Sequence, residues 1–465
     1  MADIKYGSPD GIDALCENTV SATYGQLSDD NIRIFKDRLL DITGCILGGS
    51  IVKEDAFFVE YLKGIGGKEE ASVFTKEWKL PLASAAQINC LYARANDFGA
   101  MFFHVFDEHI ASHDSETLIP LGLTISSMKK VTGKEFIVND IAAEDLTARI
   151  LYSLPVRWPT DMLLVSTAAA ALVSRYYGFD AKRLKIALSF GAANCTDPLN
   201  SYYDYSQDFK YHNAESARMG IMAAEMAKGG WTGFRDPYFG HWGLVSKQVK
   251  DGGLPSLYQN CFLDLGKKFF TEESFKRCPG GIPTTAAANC GKDIRFQILK
   301  ADGTFDAKKI KKVHVLRSDK VRYNYYSEPF VMRNHMNALF CYQFSCCCAL
   351  YHGAVSVEQV QTDAILKEPE LIRIAEESTF EVFPDAKPLL KAVVEMSDGR
   401  EFTSIQDYAS SMHAYPSREF LEDKFRSQFF ACGKLKKPVA DKIIKMAGRI
   451  EDISDMREFT ELLTT

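Results

Sequence analysis

The chain has 465 residues, of which 46% are hydrophobic and 25% charged, and its formal net charge is −6. These values are typical of a globular protein with a large core, and the mild negative charge without a basic stripe argues against nucleic-acid binding. The first residues lack the features of a secretory signal, and the longest near-apolar run, 162–173, is too short to cross a bilayer. Twelve cysteines without a CxxC pair indicate buried thiols in a reducing compartment, so we expect a cytoplasmic protein.

Most of the first 272 residues have the apolar spacing of helices. The clearest helical segments are 30–48, 162–177, 183–195 and 214–230. Because the later segments are rich in Ala and Gly, we expect long helices that pack closely in the interior.

The pattern changes near residue 275. Segment 308–318 alternates as a strand does, 380–385 is a short extended run, and 390–404 has a hairpin signal around Ser397-Asp398-Gly399. Segment 336–356, which lies between these runs, has the pattern of a helix.

The helical pattern returns after residue 415. We therefore predict a mainly α protein with two domains. A large all-helical domain would come from both chain ends, 1–272 and 405–465, and a smaller α/β (α+β) lid domain, 273–404, would be inserted into it.

Residues 93–120 place many titratable side chains in apolar surroundings. His109 and His113 have i, i+4 spacing and could bind a metal from one helix, with Asp97 or Asp107 as the third ligand, but the HExxH order is absent. The stretch also fits exposed polar residues in a loop. The interpretation that we favour is a metal-free acid–base site.

Basic residues elsewhere could clamp a small polyanion. They are Arg94, Lys210, Lys276 and Arg277. Lys210 and His212 come at the start of a helical segment, where charge also suits a solvated cap, and segment 323–329 adds clustered tyrosines. Segment 279–293 lacks the spacing of a phosphate-binding loop, and no GxGxxG or GxSxG motif occurs.

Seven short segments form an ordered pattern that covers nearly the whole chain. They are Asn96-Asp97-Phe98, His113-Asp114-Ser115 with Pro120, Trp158-Pro159-Thr160, Lys210 to Gly220, Phe275-Lys276-Arg277-Cys278-Pro279, Ala338 to Tyr342, and Asp423-Lys424-Phe425. Together they resemble motifs of the MmgE/PrpD (2-methylcitrate dehydratase) family, which includes cis-aconitate decarboxylase and iminodisuccinate epimerase. The resemblance implies a helical domain with an α/β lid, a homodimer, no cofactor, and a small di- or tricarboxylate bound between the two domains.

The chain departs from the family pattern at several positions. The family's DFDD segment is here DFGA, so that Asp97 is kept and Gly99-Ala100 replace two acids. Extra residues separate Asp97 from His113, and Trp158 replaces the histidine of the family's HPT segment. These departures indicate a diverged member.

The resemblance also assigns roles. His113 is the acid–base candidate because an imidazole titrates near neutral pH, and Asp97 would orient it or hold a substrate hydroxyl. Lys276 would stabilise developing negative charge, and Tyr326 would be a second proton donor, with Tyr325 left open. The residues expected to bind substrate are Arg94, Lys210, His212, Arg277 and Thr160, and no residue is expected to bind a metal.

The predicted function is that of a cofactor-independent lyase, a dehydratase or a decarboxylase, acting on a citrate- or aconitate-like polycarboxylate. An epimerase or isomerase of a dicarboxylate, working by proton transfer at the α-carbon, is the first alternative. A catalytically silent homologue that binds a polycarboxylate is the second.

Overall fold

The computed structural model describes residues 9–155, 162–195, 200–249, 255–321, 330–408 and 415–464. Within these ranges the protein is mainly α-helical with small sheets. The first ten helices are α1 Pro9–Ser21, α2 Asp29–Gly49, α3 Ala56–Ile65, α4 Leu82–Arg94, α5 Ser115–Ser126, α6 Gly133–Ser153, α7 Val165–Tyr176, α8 Ala181–Ala192, α9 Asn200–Asp204 and α10 Asp208–Lys228. The later helices are α11 Ile282–Asp302, α12 His335–Leu339, α13 Tyr342–His352, α14 Thr362–Ile365, α15 Pro369–Glu376, α16 Arg418–Cys432, α17 Lys437–Ala447 and α18 Arg457–Thr460.

Nine strands form three sheets in the described ranges. The strands are β1 Ala71–Ser72, β2 Lys79–Leu80, β3 Met101–Val105, β4 Glu108–Ile110, β5 Glu272–Ser274, β6 Ile310–Ser318, β7 Thr379–Phe383, β8 Leu389–Met396 and β9 Glu401–Asp407. The sheet orders are β1-β2, β4-β3-β5 and β7-β6-β8-β9. Among these described strands, β6 and β7 pair in parallel, and the other pairs are antiparallel. The predicted strands and hairpin between 308 and 404 are confirmed.

Small residues let the long helices of the first half pack closely, as predicted. Helix α10 packs against α4, α7 and α8. A Cβ at Gly220 of α10 would overlap Ala169 of α7, so only glycine allows this approach. Helix α7 ends at Tyr176, and Gly178 shortly after it has a φ of 67°, the left-handed conformation that often follows a helix.

A second apolar cluster surrounds the four-stranded sheet. Helix α11 packs against α13 and against strands β8 and β9. The consecutive thiols Cys346, Cys347 and Cys348 of α13 are fully buried in this cluster, as predicted for the cysteines.

The two chain ends pack together through helices. Helix α16 packs along α2, where Gly44 and Gly48 leave room for the side chain of Gln428. In the described residues, the helices are all too short or too polar to cross a membrane. The division into domains at 273 and 405 stays a prediction.

The structure excludes one alternative and corrects one expectation about secondary structure. His109 does not lie on a helix with His113, because 101–110 form a β-hairpin in which His109 pairs with His104 and their ring centroids are 4.6 Å apart. The helical segment 336–356 is divided into α12 and α13, with the break at Phe340-Cys341.

Candidate active site

A small sheet brings distant parts of the chain to one place. Asp97 comes shortly before β3, His113 follows β4, and Lys276 follows β5, and β3 pairs with both other strands. Arg94 ends helix α4, and Glu116 lies in the first turn of α5. All five side chains are buried. We call these five residues the central cluster.

Asp97 is the point where two cations meet. The guanidinium of Arg94 and the ammonium of Lys276 both donate to its Oδ1, and Lys276 Nζ also donates to its carbonyl oxygen at 3.0 Å. Asp97 has a φ of 45°, a conformation that Asp tolerates better than most residues. The turn after α4 thus directs the carbonyl oxygen and the side-chain Oδ1 of Asp97 toward Lys276.

Glu116 holds the other side of the cluster. Its Oε2 accepts from Arg94 at 2.9 Å, and its Oε1 accepts the backbone N–H of Gly99 at 2.9 Å. His113 Nδ1 lies 2.9 Å from Oε2 of Glu116, but it is not in line for a hydrogen bond with that oxygen. A Cβ at Gly99 would overlap Glu116, whose carboxylate therefore fills the space beside residue 99.

The cluster keeps His113 neutral. Burial lowers the pKa of His113 to about 4, and the charges of Arg94 and Lys276 act in the same direction against the opposing effect of Glu116. Burial alone would raise the pKa of Glu116, but Arg94 and His113 outweigh it and lower that pKa to about 2. Burial also lowers the pKa of Lys276. At neutral pH the imidazole is therefore a proton acceptor between ionised neighbours.

Two buried donors of the cluster lack an acceptor among the described residues. Arg94 Nε has no hydrogen-bond partner, and His113 Nδ1 has none in line. Buried polar groups are rarely left unpaired, and such exceptions often mark a site for a bound group. Both orphaned groups can donate a hydrogen bond, which an anionic oxygen could accept.

Three residues of the cluster could also approach a metal ion. Ligand atoms of Asp97, His113 and Glu116 lie within 4.8 Å of one another. Both carboxylates are already paired with Arg94, and Asp97 also with Lys276, so a divalent ion would have to sit beside two fixed positive charges. The donor set suits an anion better than a metal.

Comparison with known proteins decides the family. The sequence pattern of the MmgE/PrpD N-terminal domain matches residues 13–254, and that of the MmgE/PrpD C-terminal domain matches residues 283–447. The chain belongs to the MmgE/PrpD family. No curated protein matches the chain closely enough to be named beside it.

This MmgE/PrpD protein places the other predicted site residues around the cluster. Lys210 forms a buried ion pair with Asp55. His212 lines a cavity of about 380 Å³ together with Glu215. Burial lowers the pKa of His212, and the charge of Arg94 adds to this effect. Arg277 lines a different cavity, of about 420 Å³. Their predicted roles in substrate binding are untested.

Two predicted site residues lie outside the described residues. They are Tyr326 and Thr160, and Tyr325 and Trp158 lie outside as well.

Sequence reasoning did not select Glu116, although the signal was present. Glu116 follows His113 by three residues, the spacing that puts two side chains on one side of a helix start. Tyr202 was also missed; its hydroxyl lies 3.2 Å from Arg94 Nη2.

A second buried imidazole lies beside the cluster. His335 is fully buried, and its Nε2 lies 3.1 Å from Oδ1 of Asn96, the residue before Asp97. Because the Asn96 amide donates to Gly48 O at 3.0 Å, its oxygen faces His335, which therefore carries its proton on Nε2. Burial lowers the pKa of His335 well below its usual value, and the charge of Lys210 adds to this effect.

Behind His113 lies a layer of buried carboxylates. Arg38 pairs with Asp140 and Glu144, and Glu272 accepts the backbone N–H of Asp114 at 2.7 Å and that of the following residue at 3.0 Å. Burial and the Asp114 carboxylate raise the pKa of Glu272 to about 8. Glu272 therefore holds a proton at neutral pH.

Proposed function

We propose that the protein is a lyase, a dehydratase or a decarboxylase, that acts on a small di- or tricarboxylate at the central cluster. The observation that carries the proposal is a neutral, buried His113 that shares Glu116 with Arg94 and feels the charges of both Arg94 and Lys276. Membership of the MmgE/PrpD family supports dehydratase-type or related chemistry.

The charge of the substrate would activate the imidazole. The cations Arg94 and Lys276 help to keep the pKa of His113 low. A carboxylate bound to the Nε of Arg94 and to Lys276 would offset their effect and raise that pKa toward neutral, which makes His113 a stronger base.

In a dehydration, His113 takes the proton from the carbon next to a carboxylate, and the C–O bond breaks as an acid protonates the departing hydroxyl. Negative charge grows on the substrate carboxylate as the proton leaves. Lys276 and Arg94 are fixed where they can stabilise that charge, an effect of about 3 kcal/mol per donor.

In a decarboxylation, the C–C bond to one carboxylate breaks, and its electron pair stays on the adjacent carbon as CO₂ leaves. The same cations stabilise that carbanion, and a protonated His113 delivers the proton that completes the product. Both reactions need one imidazole beside two cations.

An epimerase is supported by a different observation. Epimerisation needs proton-transfer groups on both sides of one carbon, and His335 is a second buried imidazole next to the Asn96-Asp97 turn. It could take the place of the histidine that Trp158 replaces.

We also propose, from the family resemblance and from the helix packing, a helical body closed by a lid, with a homodimer as the assembled form. Helix α16 lies against α2, which supports the assignment of both chain ends to the body. The twelve free cysteines, eleven of them buried, support a reducing compartment such as the cytoplasm.

The experiment is to incubate the protein in D₂O with cis-aconitate, 2-methylcitrate, citrate or iminodisuccinate and to follow each acid by proton NMR. We expect one acid to be consumed, and His113→Ala to slow that reaction by about 10²–10⁴-fold with an unchanged circular-dichroism melt. His241→Ala, an imidazole outside the cluster, is the matched control and should keep full activity.

Three other results would change the conclusion. Deuterium exchange or inversion without net consumption would favour the epimerase, and His335→Ala should then abolish it. Binding of an acid without any turnover would identify a silent homologue. Full activity of His113→Ala would refute the assignment of the site.

A further inference from the structure

Arg277 follows Lys276 in the chain, but its side chain lies at a different site. Lys276 reaches Asp97, whereas Arg277 lines a cavity of about 420 Å³ whose described walls include no member of the central cluster. This volume lies in the range of cavities that hold small ligands. The cavity thus lies apart from the groups to which we assign the chemistry.

The described walls of this cavity carry positive charge. Arg277 and Lys292 are the charged residues among the described ones that line it, and Thr285 and Asn289 add polar groups. None of the described lining residues is acidic. Asp293, the neighbour of Lys292, instead accepts hydrogen bonds from the side chains of β9 at 2.6 and 3.0 Å.

The fold places the polar residues of the cavity close together. Thr285, Asn289 and Lys292 recur every three or four residues along α11 and therefore share one side of the helix. The guanidinium of Arg277 lies 4.7 Å from the ring centroid of Phe420, a cation–π distance. Arg277 is half-buried, and burial lowers its pKa, so an anion bound beside the guanidinium would favour its charged form.

We propose that this cavity is a second anion site, which binds a small molecule with two or more negative charges. Arg277 would hold a carboxylate or phosphate group through paired N–H donors. Lys292 would neutralise a second charge, and Asn289 and Thr285 would complete the hydrogen bonds.

The cavity is joined to the central cluster through helix α16. Phe420 forms part of the cavity wall, and Lys424 lies one turn further along the helix. Lys424 Nζ donates to the carbonyl oxygen of Lys276 at 3.1 Å. An anion in the cavity would therefore bind against the helix that supports the lysine of the central cluster.

The test is calorimetric titration of the full-length protein with citrate and, separately, with pyrophosphate. We compare the wild type with Arg277→Gln/Lys292→Gln and with Lys276→Met. Removing both cavity charges should weaken one binding event by about tenfold or more, and Lys276→Met should leave that event in place. Lys300→Gln, a charge loss at the far end of α11, is the matched control and should bind as the wild type does.

The outcomes separate this proposal from the proposed function. Binding of citrate alone identifies a carboxylate ligand, and binding of pyrophosphate alone identifies a phosphate ligand. An unchanged circular-dichroism melt and partial binding by Arg277→Lys would show that charge, not folding, is responsible. The proposal is overturned if neither anion binds at millimolar concentration, or if Lys276→Met abolishes all binding while the double variant binds normally.

Discussion

Lys424 and Lys276 meet in the folded protein although 148 residues separate them. The ammonium of Lys424 donates to the carbonyl oxygen of Lys276 at 3.1 Å and to that of Phe98 at 2.6 Å, and it pairs with Asp41 at 2.6 Å. Helix α16 thus fixes the backbone of Phe98, which follows Asp97, and that of Lys276, whose side chain binds Asp97.

The first prediction concerns this contact. Lys424→Met leaves the buried carboxylate of Asp41 without its cation, so we expect the free energy of unfolding to fall by about 3–5 kcal/mol. Urea denaturation measures the loss. Adding Asp41→Asn should recover part of it, because no buried charge then lacks a partner. Lys445→Met, an exposed control, should cost less than about 0.5 kcal/mol; an equal loss in both lysine variants would contradict the prediction.

The second prediction concerns the pKa of His113. Lys276 is one of the charges that hold this pKa near 4. Lys276→Met removes that charge, so the pKa should rise, and an NMR titration of the ring protons can follow it. Lys247→Met, which changes a lysine that lines another cavity, should leave the pKa of His113 unchanged. A fall in the pKa after Lys276→Met would mean that the lysine does not act through its charge.

The third prediction concerns stability at alkaline pH. Glu272 keeps its proton to about pH 8 in the folded state, whereas its ordinary pKa is 4.5. Between these values the folded state binds one more proton than the unfolded state. Stability should therefore fall as pH rises from 6 to 8, by about 1.4 kcal/mol per pH unit for this group.

Urea titrations at pH 6, 7 and 8 measure this slope. Glu272→Gln should reduce it, whatever the variant's absolute stability. Glu273→Gln, the neighbour on β5 that pairs with His104 at 3.0 Å, should keep the wild-type slope. An unchanged slope in Glu272→Gln would show that other groups hold the proton.

The fourth prediction concerns Gly99. A methyl group at this position would overlap both Glu116 and Ile42, so Gly99→Ala should cost about 1–3 kcal/mol and displace the carboxylate that contacts Arg94 and His113. Thermal unfolding and turnover measure the two effects. Gly64→Ala, a helical position with open space around it, should not destabilise the protein, since Ala favours helix more than Gly.

The strongly periodic parts of the fold could be predicted from the sequence. Segment 30–48 has regular apolar spacing, and α2 covers Asp29–Gly49. The hairpin at 101–110 could not be recognised, because its turn is Phe106-Asp107 and carries no Gly or Asn. Phe106 has a φ of 56° and packs edge-on against Phe270 and Tyr152, so long-range contacts stabilise a turn that local sequence disfavours.

The candidate site was predictable only where short sequence motifs mark its residues. Motifs placed Asp97, His113 and Lys276 in one cleft, and the structure brings them together. No local pattern indicates that Lys210 pairs with Asp55 or that Lys424 pairs with Asp41, because ion pairs between distant segments depend on how the helices pack. The roles of these residues in catalysis or binding remain predictions.

The buried cysteines of α13 provide a built-in reporter of motion. Cys346, Cys347 and Cys348 have no exposed surface, and burial raises the pKa of each thiol, so none can react until α13 separates from α11 or the sheet. The labelling rate of these thiols by a sulfhydryl-specific dye would therefore time the opening of this half of the molecule. Mass spectrometry of the labelled peptides would tell whether that opening is local or accompanies complete unfolding.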